Sequence, residues 1–187
     1  MSAPANTPRA YAAASEHAPA GVLPGQHIAD LDDEKVTVFL IGMRFNRLRA
    51  VRTWWPVFIA MPRMLAELES DPDSGFLGAR SYWSGRVVMV VQYWRSAQAL
   101  GDYSRDPARQ HQPAWMAFNR AAAGSGDVGI YHETYEVHAA SVETVYANMP
   151  PFGLGLATHT VARGLRRRSR VAETVAGAAT TSSASGA

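Results

Sequence analysis

The chain has 187 residues, 47% hydrophobic and 18% charged, which suits one domain with a sizeable core and flanking tails. It has no cysteine, which excludes a disulfide, a thiolate metal site and a cysteine nucleophile. Its net charge of +2 is uneven: five of the 18 basic residues and one of the 16 acidic ones lie from Arg163 onward, leaving 13 basic against 15 acidic residues before it.

The run Arg166-Arg167-Arg168-Ser169-Arg170 reads as a solvated tail, because no groove-reading motif accompanies it, so no nucleic-acid partner is expected. No apolar stretch approaches the ~18–20 residues of a membrane span. No basic segment followed by an apolar run marks a secretory leader. The absence of cysteine fits a reducing compartment without requiring one, and a cytoplasmic location is the expectation.

Residues 1–33 are rich in Ala and Pro without apolar periodicity and read as a disordered N-terminal segment. Val36 to Phe45 is a strand apolar on both faces, with Val36, Val38 and Leu40 on one and Phe39, Ile41 and Met43 on the other; such a strand is covered on both sides. A helix follows from about Thr53, its expected N-cap, to Glu69. Trp54, Phe58, Met61, Leu65 and Leu68 form its core stripe. Pro56 is tolerable in the first turn, whereas Pro62 should kink it. Asp71-Pro72-Asp73-Ser74-Gly75 is a turn.

Phe76 to Trp83 and Arg86 to Trp94 read as a hairpin turning at Ser84-Gly85. Ser96 caps a short helix that ends by Asp106-Pro107, and a longer helix is expected from about Ala108 to Ala123, with His111, Trp115 and Phe118 on one face. Val128 to His138 is the fourth strand, with Ile130, His132, Thr134 and Glu136 on one face and Tyr131, Glu133, Tyr135 and Val137 on the other. Titratable groups beside bulky aromatics suit a pocket better than a plain core. A short helix is expected over Ser141 to Tyr146. The Pro- and Gly-punctuated segment Asn148 to Gly155 is expected to be an ordered lid or pocket wall, and residues 161–187 a basic and then Ala/Ser/Thr-rich disordered tail.

The order strand, helix, strand, strand, helices, strand is that of an α+β, ferredoxin-like βαββαβ domain with an antiparallel sheet, here over residues 34–160. Its helices cover one face of the sheet. An apolar bare face predicts a homodimer in which two sheets close on each other.

Order and signals together resemble the dimeric α+β barrel superfamily, which holds antibiotic-biosynthesis monooxygenases, haem-degrading monooxygenases and haem-binding aldoxime dehydratases. The carrying residues are Tyr93-Trp94-Arg95-Ser96-Ala97-Gln98-Ala99-Leu100 with Tyr103, Asp106-Pro107 and His111. A sharper motif, Tyr131-His132-Glu133-Thr134-Tyr135 with Tyr146-Ala147-Asn148-Met149-Pro150-Pro151-Phe152-Gly153-Leu154, is similar to the family of the monooxygenase-like protein of the fungal fumagillin pathway. That resemblance implies a small oxidoreductase of the monooxygenase type. In cofactor-independent members of the superfamily, sets of Asn, Trp and His shape oxygen attack; Asn46, Trp94 and His111 are the corresponding residue types here.

His132 on the strand and His111 on the helix are the candidate bases, each a ring that needs a partner among apolar neighbours. In a haem-binding alternative, such as a dehydratase or peroxidase-like enzyme, either would be the axial ligand. Trp54, Phe58, Trp115, Tyr131, Tyr135 and Phe152 are the candidate substrate-binding surface for a small hydrophobic molecule. No Gly-rich dinucleotide fingerprint or phosphate loop is present, so neither NAD nor a flavin is indicated and cofactor-independent chemistry is favoured. No metal-ligand motif stands out. A non-catalytic ligand-binding protein would use the same pocket.

Overall fold

The computed structural model describes residues 17–109, 115, 116, 118, 119 and 124–163. In chain order they form β1 (Leu23–Asp30), β2 (Lys35–Phe45), α1 (Val51–Glu69), β3 (Phe76–Ser84), β4 (Val87–Trp94), α2 (Ala97–Arg105), β5 (Val128–His138), β6 (Tyr146–Met149), α3 (Leu154–Ala157) and β7 (His159–Ala162). Two compact units divide them: Lys35–Glu136, and the segments before and after it. Among the described residues no helix is long and apolar enough to cross a membrane.

The larger unit is a four-stranded sheet in the order β3-β4-β2-β5, with β4 antiparallel to both β2 and β3. This is the ferredoxin-like order, and it explains the strand sequences. β2 and β4 are central and apolar on both faces, whereas the edge strands β3 and β5 expose most of their polar residues. Register fixes the faces. Phe39 lies opposite Gln92, Ile41 opposite Val90 and Met43 opposite Val88, so these six share the helix-facing side. Val38, Leu40 and Gly42, opposite Tyr93, Val91 and Met89, share the other. On that side the Tyr131 ring lies directly over Gly42; a Cβ there would come within 2.5 Å of Tyr131 Cε1.

α1 begins at Val51 rather than at Thr53. Its N-cap is Ala50 without a side-chain bond, because the Thr53 hydroxyl is drawn to Asp127 Oδ2 at 3.3 Å. The helix stays continuous through Pro56 and Pro62, although the proline at 62 leaves the Phe58 carbonyl without its intrahelical donor. The helix buries Met64 and Leu68, the second of them from the expected stripe. Trp54, the first residue of the stripe, packs onto Phe45, edge to face at 4.9 Å, in a cluster with Met43 and Val128.

Asp71 accepts from the Asp73 amide and Gly75 adopts φ +77, closing the expected turn. The hairpin turns at Gly85-Arg86, one residue later than expected, since Gly85 at φ +56 takes the first turn position. Ser96 caps α2, accepting from the Ala99 amide at 3.1 Å. Of the helix expected from Ala108 to Ala123, only Trp115, Met116, Phe118 and Asn119 after Arg109 are described; the first three are helical, and His111 lies outside the described residues.

The smaller unit corrects the reading of the N-terminal segment. Residues 1–33 were expected to lack structure, yet Leu23–Asp30 is the central strand of a three-stranded sheet, antiparallel to β6 and β7 on either side. Pro24-Gly25 conceals it in the sequence. Gly25, at φ +88, sits where the register to β6 shifts, and its amide donates to Asn148 Oδ1 at 2.9 Å. The basic tail likewise begins later than residue 161, since β7 runs to Ala162.

The short helix expected over Ser141 to Tyr146 is absent. A 3₁₀ turn spans Ala139–Ser141, and the following chain is drawn out along β1, where Thr144 Oγ1 accepts from the Ala29 amide at 2.8 Å and Tyr146 pairs with His27. Asn148 to Gly155 runs from the end of β6 into α3. Gly153 (φ +54) admits α3, Leu154 is buried, and the Gly155 amide donates to the Tyr146 hydroxyl at 2.9 Å.

Candidate functional site

Between the helices of the larger unit and the inner face of its sheet lies a cavity of ≈ 670 Å³. Strand pleating supplies its floor. Alternate residues of β2 (Phe39, Ile41, Met43), of β4 (Val88, Val90, Gln92, Trp94) and of β5 (Ile130, His132, Thr134) point to the same side. α1 covers them with Phe58, Met61, Met64, Leu65 and Leu68, α2 with Leu100 and Tyr103, and Trp115 and Phe118 stack at 5.6 Å on a further wall. No Lys, Arg, Asp or Glu lines it among the described residues. Such walls suit a neutral, largely apolar ligand.

A few polar groups interrupt this surface. His132 stands on the edge strand, itself exposed, its ring 5.8 Å from that of Phe39. Trp94 is fully buried, packed against Phe76 (5.4 Å) and Tyr103 (5.8 Å), and its indole N–H donates to Gln92 Oε1 at 2.9 Å. The Tyr103 hydroxyl donates to Glu67 Oε2 at 2.9 Å. Burial, and then the Glu67 carboxylate, push the phenol above its ordinary range, so it remains a neutral donor. Arg109, paired with Asp71, lies with its guanidinium 6.0 Å from the Tyr103 ring centre.

The remaining sequence candidates are placed elsewhere. Asn46 closes a loop, donating to the Gly126 carbonyl at 3.0 Å and accepting from Arg44, and it is not a lining residue. Trp54 donates to the Leu48 carbonyl at 3.0 Å outside the cavity. Tyr131 covers Gly42 on the opposite face of the sheet. Tyr135 is exposed and donates to Glu133 at 2.6 Å, which raises its pKa. Phe152 belongs to the smaller unit. Phe58, Trp94, Trp115 and His132 thus line one chamber. Gln92 and Tyr103 join the lining beyond the sequence candidates; for Gln92 the sequence carries a sign, the lone hydrogen-bonding side chain between the run Val87 to Val91 and Tyr93.

As to haem, His132 is the one described histidine that lines the cavity, and no described Lys or Arg lines it to receive propionates. The described wall therefore fits a neutral molecule better than a dianionic macrocycle. Among the described residues no group of three or more acids and histidines could hold a metal ion.

Fold and cavity together define a ferredoxin-like α+β domain with a ligand-sized apolar chamber between helices and sheet. The profile of one family, Monooxygenase af470-like, matches residues 36–154, and the chain belongs to that family. Monooxygenase af470 of Aspergillus fumigatus is 24% identical over 141 residues, covering 70% of this chain and 49% of its own length. The chain thus spans about half the length of that curated relative. Among solved structures, an aldoxime dehydratase in complex with butyraldoxime is similar with a TM-score of 0.59 at 18% identity, over 75% of this chain and 42% of its own. SnoaB, a cofactor-independent oxygenase from Streptomyces nogalater, matches over 55% of this chain and 91% of its own, with a TM-score of 0.39 and 14% identity. The likeness to the aldoxime dehydratase is one of fold.

Proposed function

We propose that the chain is a monooxygenase, an oxidoreductase acting without a bound cofactor on a small hydrophobic molecule of specialised metabolism. The observation that carries this reading is an imidazole, His132, set at the edge of a large apolar chamber in a member of a monooxygenase-like family. Its nitrogen takes a proton from an activated CH₂ of the substrate, and the carbanion passes electrons to oxygen. The balance is R₂CH₂ + O₂ → R₂C=O + H₂O: both electron pairs come from substrate C–H bonds, one oxygen atom stays on carbon and the other leaves as water. The apolar outer face of the sheet, with Val38, Leu40, Met89 and Val91, supports a homodimer as the working form.

Oxygen uptake over a panel of terpenoid and polyketide C–H acids tests the reading. One or more should be consumed with one equivalent of oxygen, and His132→Asn should lower that rate by about 10²–10⁴-fold, the usual range for a lost general base. Uptake that is unchanged in His132→Asn defeats the assignment of the base. A Soret band on adding haemin, lost in His132→Ala, would replace this reading with the haem enzyme.

A further inference from the structure

We infer that Gln92 is the residue that selects and orients the ligand, by donating a hydrogen bond to a carbonyl or similar acceptor oxygen held in the middle of the chamber. The inference rests on the reading above for the site, but not on oxygen chemistry. Gln92 is only 4% exposed and stands on the chamber face of the central strand β4. A buried carboxamide on an apolar floor is costly unless both of its ends are used.

Its orientation is fixed by chemistry. The indole N–H of Trp94 is a donor and never an acceptor, so the group facing it at 2.9 Å must be the Gln92 oxygen. The NH₂ end is thereby turned the other way. Its one described partner is the Met61 thioether, Nε2 to Sδ 3.8 Å, across the chamber on α1. A thioether is a weak acceptor and takes at most one of the two amide hydrogens. Gln92 therefore holds unspent donor capacity in a buried, apolar surround, where a hydrogen bond to a ligand oxygen counts most. No described Lys, Arg, Asp or Glu lines the chamber to recognise a charged group. The ligand class that follows is a neutral hydrophobic molecule with an acceptor oxygen, such as an aryl or alicyclic ketone. Trp94 acts behind Gln92, as a positioning residue.

The test uses acetylnaphthalene and ethylnaphthalene, which differ in the carbonyl oxygen, titrated against the full chain and against Gln92→Met. In Gln92→Met, acetylnaphthalene affinity should fall roughly five- to tenfold, while ethylnaphthalene changes less than about twofold. Equal losses for the two probes, no loss at all, or failure of the unaltered protein to bind the ketone would each overturn the inference. A second measurement does not depend on the variant folding: the infrared carbonyl stretch of acetylnaphthalene bound to the unaltered protein should lie below its value in hexane, and an unshifted band overturns the inference. Selective ketone binding without oxygen uptake on any substrate would leave this inference standing and remove the monooxygenase reading; uptake with unselective binding would do the reverse.

Discussion

Replacing Trp94 by Phe tests whether its indole holds the Gln92 amide in place. The indole is fully buried, and its N–H supplies the hydrogen bond that Gln92 Oε1 accepts at 2.9 Å. Phe retains a ring against Phe76 and Tyr103 but leaves Gln92 Oε1 dry, at a cost of about 1–3 kcal/mol. The missing second ring leaves a void worth about 1–2 kcal/mol more at ~24 cal/mol per Å³. A total of about 2–5 kcal/mol is a large share of the ~5–15 kcal/mol typical of a domain. Urea unfolding followed by circular dichroism reads it as a lower midpoint with unchanged m. The double variant Trp94→Phe/Gln92→Met then carries no orphaned oxygen, so it should lose at least ~1 kcal/mol less than the two single losses combined. A single-variant loss under ~0.5 kcal/mol, or strict additivity in the pair, would refute the Trp94–Gln92 coupling and with it the orientation assigned to the amide.

Three further outcomes follow from particular contacts. Gly42→Ala places a methyl against the Tyr131 ring and should cost about 1–3 kcal/mol by overpacking, read as a lower Tm; removal of most of that cost by adding Tyr131→Ala would identify the collision as the cause. Tyr103 holds its proton more tightly folded than unfolded, so its contribution is full below about pH 10 and is lost as pH rises through the folded value; Tyr103→Phe should flatten the alkaline fall in stability, measured by urea midpoints across that range. Gly153, at φ +54 and ψ −127, enters α3 in a conformation that disfavours a Cβ, so Gly153→Ala should cost about 1–3 kcal/mol and show as faster amide exchange at Leu154 to Ala157, with unchanged exchange there refuting the strain argument.

The sequence by itself determined the larger unit. Strand and helix periods are local properties of the chain, and four strands with two apolar-faced elements between them admit few other arrangements. β5 was legible to its end residues, and alternation alone put Ile130, His132 and Thr134 on one face. What only the tertiary structure decided was partnership. β1 escaped notice because its Pro24-Gly25 bulge breaks the pattern, and it is a strand only because β6 and β7 flank it. Tyr131 and Trp54 look like binding aromatics in sequence, yet one covers Gly42 and the other packs on Phe45. Gln92 gave a local sign, one amide in an apolar strand, but its meaning depends on Trp94 fixing one end and Met61, 31 residues away, weakly meeting the other. Periodicity records which face a residue takes; the atoms it meets there come from distant parts of the chain, and no local pattern encodes them.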